Sequence, residues 1–519
     1  KITEDCTRCL PDVPASGLAQ RIRWNLLAGF SSSLWTALIG LWVIPLYLKY
    51  LGIEAYGLIG FFATLQALFW LFDLGLSPTI NREVSRCSVS GNWQEAGSLL
   101  HTFAVIYWTM GTAMALFLVT LAPIIAEYWL QSRRLPIATI THAIMIMGLI
   151  VACRWPIALY QGALIGAQRL TISSGISSVM VTLGNIGAVG VLAFISPTIE
   201  AFFIWQAGVG LVHVATMRWA TWRLIGYQSG LRFELGTLKR IWRFSAGMTG
   251  IAVSTMILMQ FDKVLLSKIL NLDEFGRYAL AGVVTSALYV LLTPVFNVIY
   301  PRFTALIVAG NTKELTNLYR LGTRLLSAIL FPIATVAGLF AVDFVHLWTG
   351  NLDLSIKVAP IISLLLMGTA INGIMIFPYA LQLANEEVQL PLRICIILII
   401  FIIPTTIFLA LNYGAIGAAA AWTLMNSVYL LMGSWLTHRL FLKEIGLKWL
   451  LWDVGVPLVF SLLVIRLAGE KIHNFGQTPI VNLAMAFGLV LLSILLSIST
   501  SPRLVVMLRN VFNNTNRSR

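Results

Sequence analysis

From Asn25 to about Ser499 the chain is a succession of apolar runs, each near twenty residues, with only short polar connections between them. About fourteen such runs occur, and a helix of that length crosses the roughly 30 Å hydrocarbon core of a bilayer. Lipid offers no partner to a free N–H or C=O, so the expected spanning form is helical. A membrane barrel would instead show alternating strands of about ten residues. The chain is 58% hydrophobic and 11% charged, against about 25% charge in soluble domains. The expected fold is therefore an all-α integral membrane protein. The first run, 25–48, is too long for a signal-peptide core and lacks a small-residue cleavage site, so it reads as a retained helix.

The formal charge of +14 has a membrane explanation, not a nucleic-acid one. With the N-terminus placed in the cytoplasm, about 25 of the 35 Lys and Arg fall on the cytoplasmic side and about 9 on the other. Both termini are then cytoplasmic, and anionic lipid headgroups are the natural partners of the basic connections. Of five cysteines, Cys6 and Cys9 have CxxC spacing, but no second pair completes a metal site. No metal and no cofactor is expected.

The chain also resembles itself. Leu51-Gly52-Ile53-Glu54-Ala55-Tyr56-Gly57 follows the first run, and Leu270-Asn271-Leu272-Asp273-Glu274-Phe275-Gly276 follows the seventh. The offset, from 57 to 276, is 219 residues, and Tyr160 and Tyr379 share it. This predicts a parallel repeat of six spans plus six. The expected organisation is a tail at 1–24, an N-terminal lobe at 25–220, a basic linker at 221–242 and a C-terminal lobe at 243–440. Two extra spans at 441–500 and a tail at 501–519 complete it.

An ionisable group at bilayer depth costs at least a few kcal/mol and normally faces a cavity or a partner. Asp73 ends the second run, with Gln66 seven residues earlier on the same helical face. That face either lines a polar cavity or buries an Asp satisfied by the backbone or an Arg. Arg154 lies just before Pro156, which can break the helix. Its forked donor suits phosphate oxygens, and the alternatives are an ion pair with Asp73 or Asp262, or snorkelling to the interface. Asp262 sits beside Lys263 and is either a self-compensating pair or an ion-coupling group. Arg302 ends the eighth run, whose polar stripe is Ser286, Tyr289, Thr293, Asn297 and Tyr300. The first run carries Asn25, Gly29, Ser32, Thr36 and Gly40 at the same period. Lining a cleft is the preferred reading of both stripes, and close helix packing is the alternative. His346-Leu347-Trp348-Thr349-Gly350 reads as an interfacial aromatic anchor. No GxxxxGK[ST] and no HExxH occurs, and no outer connection is long enough for a catalytic loop.

Several segments taken together resemble bacterial polysaccharide flippases, the Wzx-type lipid-linked oligosaccharide exporters of the MOP superfamily. The first is Pro45-Leu46-Tyr47-Leu48-Lys49-Tyr50 running into the repeated motif, followed by Asp73-Leu74-Gly75-Leu76-Ser77-Pro78 and Arg82-Glu83. The second half adds Asp262, Phe275-Gly276-Arg277-Tyr278, Leu347-Trp348-Thr349-Gly350 and Ile416-Gly417-Ala418-Ala419. The resemblance covers about residues 20–440. It implies two six-helix lobes in a V around a cationic cavity, with the extra terminal pair of spans found in the lipid II flippase branch. It implies an undecaprenyl-diphosphate-linked sugar unit, moved from the inner to the outer leaflet of a bacterial inner membrane by alternating access. It further implies a surface-polysaccharide pathway such as O-antigen synthesis, with a glycan polymerase and a chain-length regulator as candidate partners.

On that reading Arg154 and Arg302 receive the diphosphate, and Arg82, Asn25, Gln66, Gln161 and Asn297 add polar contacts. Asp73 and Asp262 carry coupling protons, unless the membrane potential acts on the arginines instead. The rivals are a multidrug or cation antiporter of the same superfamily, which needs an acidic cavity, and a membrane glycan polymerase or ligase, which needs a catalytic outer loop. A scaffold for a glycan assembly complex is the third.

Overall fold

A computed structural model of the chain describes residues 15–73, 76–226, 253–387, 389–469 and 478–499. Residues 1–14 with the Cys6/Cys9 pair, the linker from 227 onward and the tail from 500 lie outside the described residues. Within them the protein is helical, and no strand occurs. Eleven segments are long and apolar enough to cross a membrane. Two of these divide into two helices each, at Gly52 (φ 79°, ψ 172°) and at Gly414 (φ 58°, ψ −136°), and a further helix runs over 253–269. Fourteen helical passes follow, as the run count leads one to expect. Some run well past the twenty or so residues that cross the bilayer: the third reaches from Trp93 to Trp129, because a helix does not stop where its side chains turn polar.

In chain order the helices are α1 (Ala15–Phe69), α2 (Leu76–Ser90), α3 (Trp93–Ile124), α4 (Ile137–Arg154), α5 (Ile157–Gly166), α6 (Leu170–Phe194) and α7 (Ile199–Ile225). Then come α8 (253–269), α9 (Leu272–Ser286), α10 (Tyr289–Val308), α11 (Thr312–Leu339), α12 (Ala341–Thr349), α13 (Leu352–Ile374), α14 (Ile376–Ala384), α15 (Gln389–Val428) and α16 (Ser434–Phe441). Helical segments between Gly446 and Gly469, and Pro479–Ser499, end the described chain.

Two compact units form. The first holds 1–50, 73–126 and 137–249, and the second holds 51–72, 127–136 and 250–519. In the first unit α4 packs against α3 and α7, over a core that includes Phe103, Tyr107, Tyr160, Met217 and Trp222. In the second, Tyr319 gathers Phe303, Phe377, His438 and Trp449 in a buried aromatic cluster, with centroids 5.5–6.2 Å from its ring. The last helices dock on α11 through Val336, Phe340, Val464, Ala486 and Leu489. Polar rivets join them: Arg320 to Asp453 at 2.7 Å, and Asn482 to Asp343 at 3.0 Å.

The internal repeat is written into the backbone. Gly91 and Gly310, 219 residues apart, both take positive φ (72° and 67°). Each precedes an Asn N-cap of matching geometry, Asn92 (φ −86°, ψ 71°) and Asn311 (φ −87°, ψ 71°). Each cap accepts from the N–H of a Glu three residues on, Glu95 at 3.2 Å and Glu314 at 3.1 Å. The Asn oxygen thereby satisfies a donor that the first turn leaves free.

Within the second unit, Gly57 and Gly276 meet face to face. A Cβ on Gly57 would lie 2.3 Å from the carbonyl oxygen of Leu272, and one on Gly276 would lie 2.5 Å from that of Ile53. The two contacts are mirror partners under the repeat, and only a residue without a side chain permits either. We expect Gly57→Val and Gly276→Val each to destabilise the protein by about 1–3 kcal/mol, the usual range for overpacking, seen as a lower melting temperature in detergent. Gly40→Ala, where nothing lies within 4 Å, should melt no lower than the parent.

Candidate functional site

Among the described residues each unit contains an acid capped by a tyrosine, Asp73 buried and Asp262 partly buried. α1 gives way to a 3₁₀ turn, Trp70–Asp73, and Asp73, the residue of that turn in the first unit, is only 6% exposed. Tyr107 donates its hydroxyl to Oδ1, and the backbone N–H of Ser77 donates to Oδ2 at 3.3 Å. The Tyr107 ring packs on Trp155, with centroids 6.1 Å apart. Asp73 is thus satisfied by a tyrosine and the backbone, and not by an arginine.

Arg154 is the last residue of α4, and the helix breaks there before Pro156, as the proline predicts. It is partly buried, and its Nη2 donates to Gln206 Oε1 at 2.6 Å. Gln206 in turn donates from Nε2 to the carbonyl of Gly184 at 3.2 Å, which fixes the amide with its oxygen toward Arg154. Gly210 packs beside the stem of Arg154, where a Cβ would make an ordinary 3.5 Å contact with Arg154 Cγ. Among the described residues Arg154 makes no ion pair; the eight that occur involve other cations. Within the first unit, the expected alternative of a pair with Asp73 is not what the structure shows. Nearby, the Trp155 Nε1 and His213 Nε2 atoms are buried without hydrogen-bond partners.

In the second unit Tyr278 donates to Asp262 Oδ2, while Oδ1 is buried without a hydrogen bond. Lys263 stands 3.8 Å from that oxygen but donates to the carbonyl of Met259 at 2.6 Å, so the adjacent pair is loose. A second polar chain runs from the Tyr289 hydroxyl to Asn372 Oδ1 (3.4 Å), then from Asn372 Nδ2 to Asn426 Oδ1 (2.7 Å).

The remaining sequence-derived residues are more dispersed. Gln161 is partly buried on α5, and Gln66 is partly buried on α1 in the second unit. Asn25 lies on α1, with its side chain outside the described residues. Asn297 is exposed on α10. Arg302 does not end that helix; it is exposed and paired with Glu314 at 2.8 Å. The polar stripe of the eighth run is interrupted between α9 and α10, where the Thr285 and Ser286 hydroxyls bond back to the carbonyls of Gly282 and Val283. In the first run, Ser32 bonds to Ser174 and Ser178 of α6, and Gly29 faces Leu170. That stretch of the stripe is a packing seam, not a lining.

Sequence reasoning missed the partners Tyr107, Tyr278, Gln206 and Asn426. It also missed Glu54, a 7% exposed carboxylate that accepts from Ser132 Oγ (2.7 Å) and the N–H groups of Arg133 (2.7 Å) and Arg134 (3.1 Å). The loop so held also contacts the start of the second repeat: Trp129 donates to Ser267 at 3.0 Å, and Leu272 N–H donates to Gln131 O at 2.8 Å. Only the Glu54/Asp273 match in the repeat pointed to this position.

Residues 49–352 match the family described as "Polysaccharide biosynthesis protein". A candidate O-antigen transporter of Shigella flexneri is 23% identical over 397 residues, covering 75% of this chain and 91% of its own. Among solved structures, the lipid II flippase MurJ in an inward closed conformation has a TM-score of 0.71 at 13% identity, covering 92% of this chain and 99% of MurJ. An inward-facing multidrug resistance transporter of the MATE family, in the MOP superfamily, has a TM-score of 0.62 at 13% identity, covering 79% and 96%. At these identities the structures establish the fold alone, an all-helical membrane bundle of the same kind.

Arg82 lies outside the spans, on α2, and holds Glu83 at 2.7 Å with Arg86 on its other oxygen at 3.1 Å. Burial pushes the Glu83 carboxyl up, but the Arg82 hydrogen bond and the charges of Arg86 and Arg82 outweigh it, leaving it below its ordinary 4.5. A lowered folded value means stability that is present above about 4.5 and is lost as pH falls through the lowered value. Glu83→Gln should melt below the parent at pH 7, and the gap should close on acidification below about pH 4.5, read by thermal scans across pH. A gap independent of pH would remove the charge from the explanation.

Proposed function

Because the chain belongs to the polysaccharide biosynthesis protein family, a family of membrane transporters and not of enzymes, we propose that it carries lipid-linked oligosaccharide across the bilayer. The cargo is an undecaprenyl-diphosphate-linked repeat unit, taken from the cytoplasmic to the outer leaflet of a bacterial inner membrane by alternating access. Both termini are cytoplasmic on this reading, which the asymmetric distribution of Lys and Arg supports. The product feeds O-antigen or another surface polysaccharide.

One observation carries the reading: a partly buried guanidinium within the membrane has a neutral amide for its partner and no carboxylate. Arg without a counter-charge at that depth is costly, and a diphosphate offers the acceptor geometry that its fork matches. Arg302, Arg82, Gln66, Gln161, Asn25 and Asn297 are assigned polar contacts along the path. Asp262, with one oxygen lacking a hydrogen bond, is assigned ion coupling, and Asp73 is the second candidate. That Asp262 oxygen is also the one feature on the side of a cation antiporter; Arg154 weighs against it.

Arg154→Ala should cut surface glycan display about tenfold or more, the scale of one charged hydrogen bond, while Arg154→Lys should retain part of it. Full display with Ala would take Arg154 out of the site. Asp262→Asn should flatten the pH dependence of transport in reconstituted vesicles; an unchanged profile would end its coupling role.

A further inference from the structure

The helix ends where α16 meets α11 carry a feature that cargo movement does not use. α16 stops at Phe441, and the chain turns through Leu442–Ile445 before resuming at Gly446. A depression of about 510 Å³ opens there between the first turn of α11 and the turn, lined by Thr312, Lys313, Thr316 and Lys443 among others. A second, of about 580 Å³, adjoins it through Leu440 and Lys443 and is walled by Trp435, His438 and Arg439.

This double depression is net positive, with three cations against one acid. Lys313, Arg439 and Lys443 are exposed, and none makes an ion pair among the described residues. Glu444 is the acid in the lining. The Arg439 guanidinium stands over the Trp435 ring, 5.4 Å from its centroid, which holds it at the mouth. Next to these cations the surface turns apolar: Trp435, Leu440, Leu447, Leu451 and Trp452 are 54–68% exposed. Cations joined to a bare aromatic and aliphatic strip match a molecule with an anionic head and a hydrocarbon body. A soluble anion would use the first half and leave the second unexplained. Tryptophans beside basic residues also mark the level of the headgroups.

We propose that this joint binds one anionic phospholipid, its phosphate held by Arg439, Lys443 and Lys313 and its chains laid along Trp435, Leu447 and Leu451. The floor of the site explains what occupancy does. His438 is hydrogen-bonded to Tyr319 at 2.8 Å and packs on Trp449 at 4.9 Å, and Arg320 of the same helix holds Asp453. These contacts fasten the terminal helices to α11, so the bound lipid braces that attachment.

The test uses the full chain purified in detergent, with phosphatidylglycerol and phosphatidylcholine of equal chain length. Native mass spectrometry should show preferential retention of phosphatidylglycerol, with a higher melting temperature. At about fivefold per basic contact, the double variant Arg439→Gln/Lys443→Gln should lose about 25-fold of that preference, and Lys357→Gln, a surface cation paired with Asp353, should lose none. If the double variant does not fold, the single variants are read instead, each with about a fivefold loss. A preference that survives the substitutions overturns the proposal. So does equal stabilisation by inorganic phosphate, which would make this a free-anion site.

Discussion

Hydrocarbon gives the backbone nothing to bond to, and this one constraint decides where the protein can place chemistry. A spanning helix is interrupted only where its own groups or a neighbour satisfy the freed polar atoms. The fourth pass breaks at Trp155–Pro156, and the break is bridged by Trp155 N–H to Val151 O at 2.9 Å. The tenth pass breaks at Met375, bridged by Met375 N–H to Asn372 O at 3.0 Å. Pro156 and Met375 are 219 residues apart, the offset of the repeat. Arg154 ends the helix before the first break, and Asn372 stands just before the second. Interrupted helices within the membrane are where transporters of repeated architecture expose polar groups, and both unusual polar residues are found at these points.

The repeat preserves scaffold and discards chemistry. Gly57 pairs with Gly276, Asn92 with Asn311 and Glu95 with Glu314, and each pair does the same job twice. The ionisable residues at depth have no such twins. At the same offset Asp73 corresponds to Leu292, Tyr107 to Leu326, Arg154 to Gly373 and Asp262 to Val43. Turns and close helix contacts are fixed by backbone geometry, so a duplicated chain keeps them. A buried charge is costly wherever it stands, and of these four none is repeated, whereas Glu54, which holds a loop, keeps an acid at Asp273.

This division also sets what could be read from the sequence. The passes were legible because burial in lipid demands a long apolar run, and the break at Pro156 because proline cannot continue the ladder. The matching break at Met375 carries no proline, and only the repeat points to it. Gly91-Asn92 and Gly310-Asn311, each with Glu three residues on, were a readable signal at the known offset. Partners were not legible. Tyr107 lies 34 residues from Asp73, and Gln206 lies 52 from Arg154, and nothing local marks either as the group that will meet the charge. At Gly29 and Ser32 the small-residue stripe of the first run is a seam for a physical reason: serine and glycine suit a wet lining and a tight seam equally, and only the neighbour, here α6, decides.

Arg154 and Asp262 show how far satisfaction has been taken and where it stops. Each has one neutral hydrogen-bonding partner, Gln206 for the cation and Tyr278 for the anion, and each partner is held: Gln206 by Gly184 O, Tyr278 by burial at 1% exposure. A fully paired charge would be stable and inert, and an isolated one would not be tolerated at this depth. A charge held in place by a neutral group keeps its geometry while its field remains available to a ligand. On the proposed reading, the arginine meets the phosphate charge of the cargo and the aspartate meets the coupling ion. The cargo then supplies the counter-charge that Arg154 lacks among the described residues, and the ion meets an aspartate whose neighbour Lys263 stands 3.8 Å off, which ties occupancy to the stability of the unit that binds it.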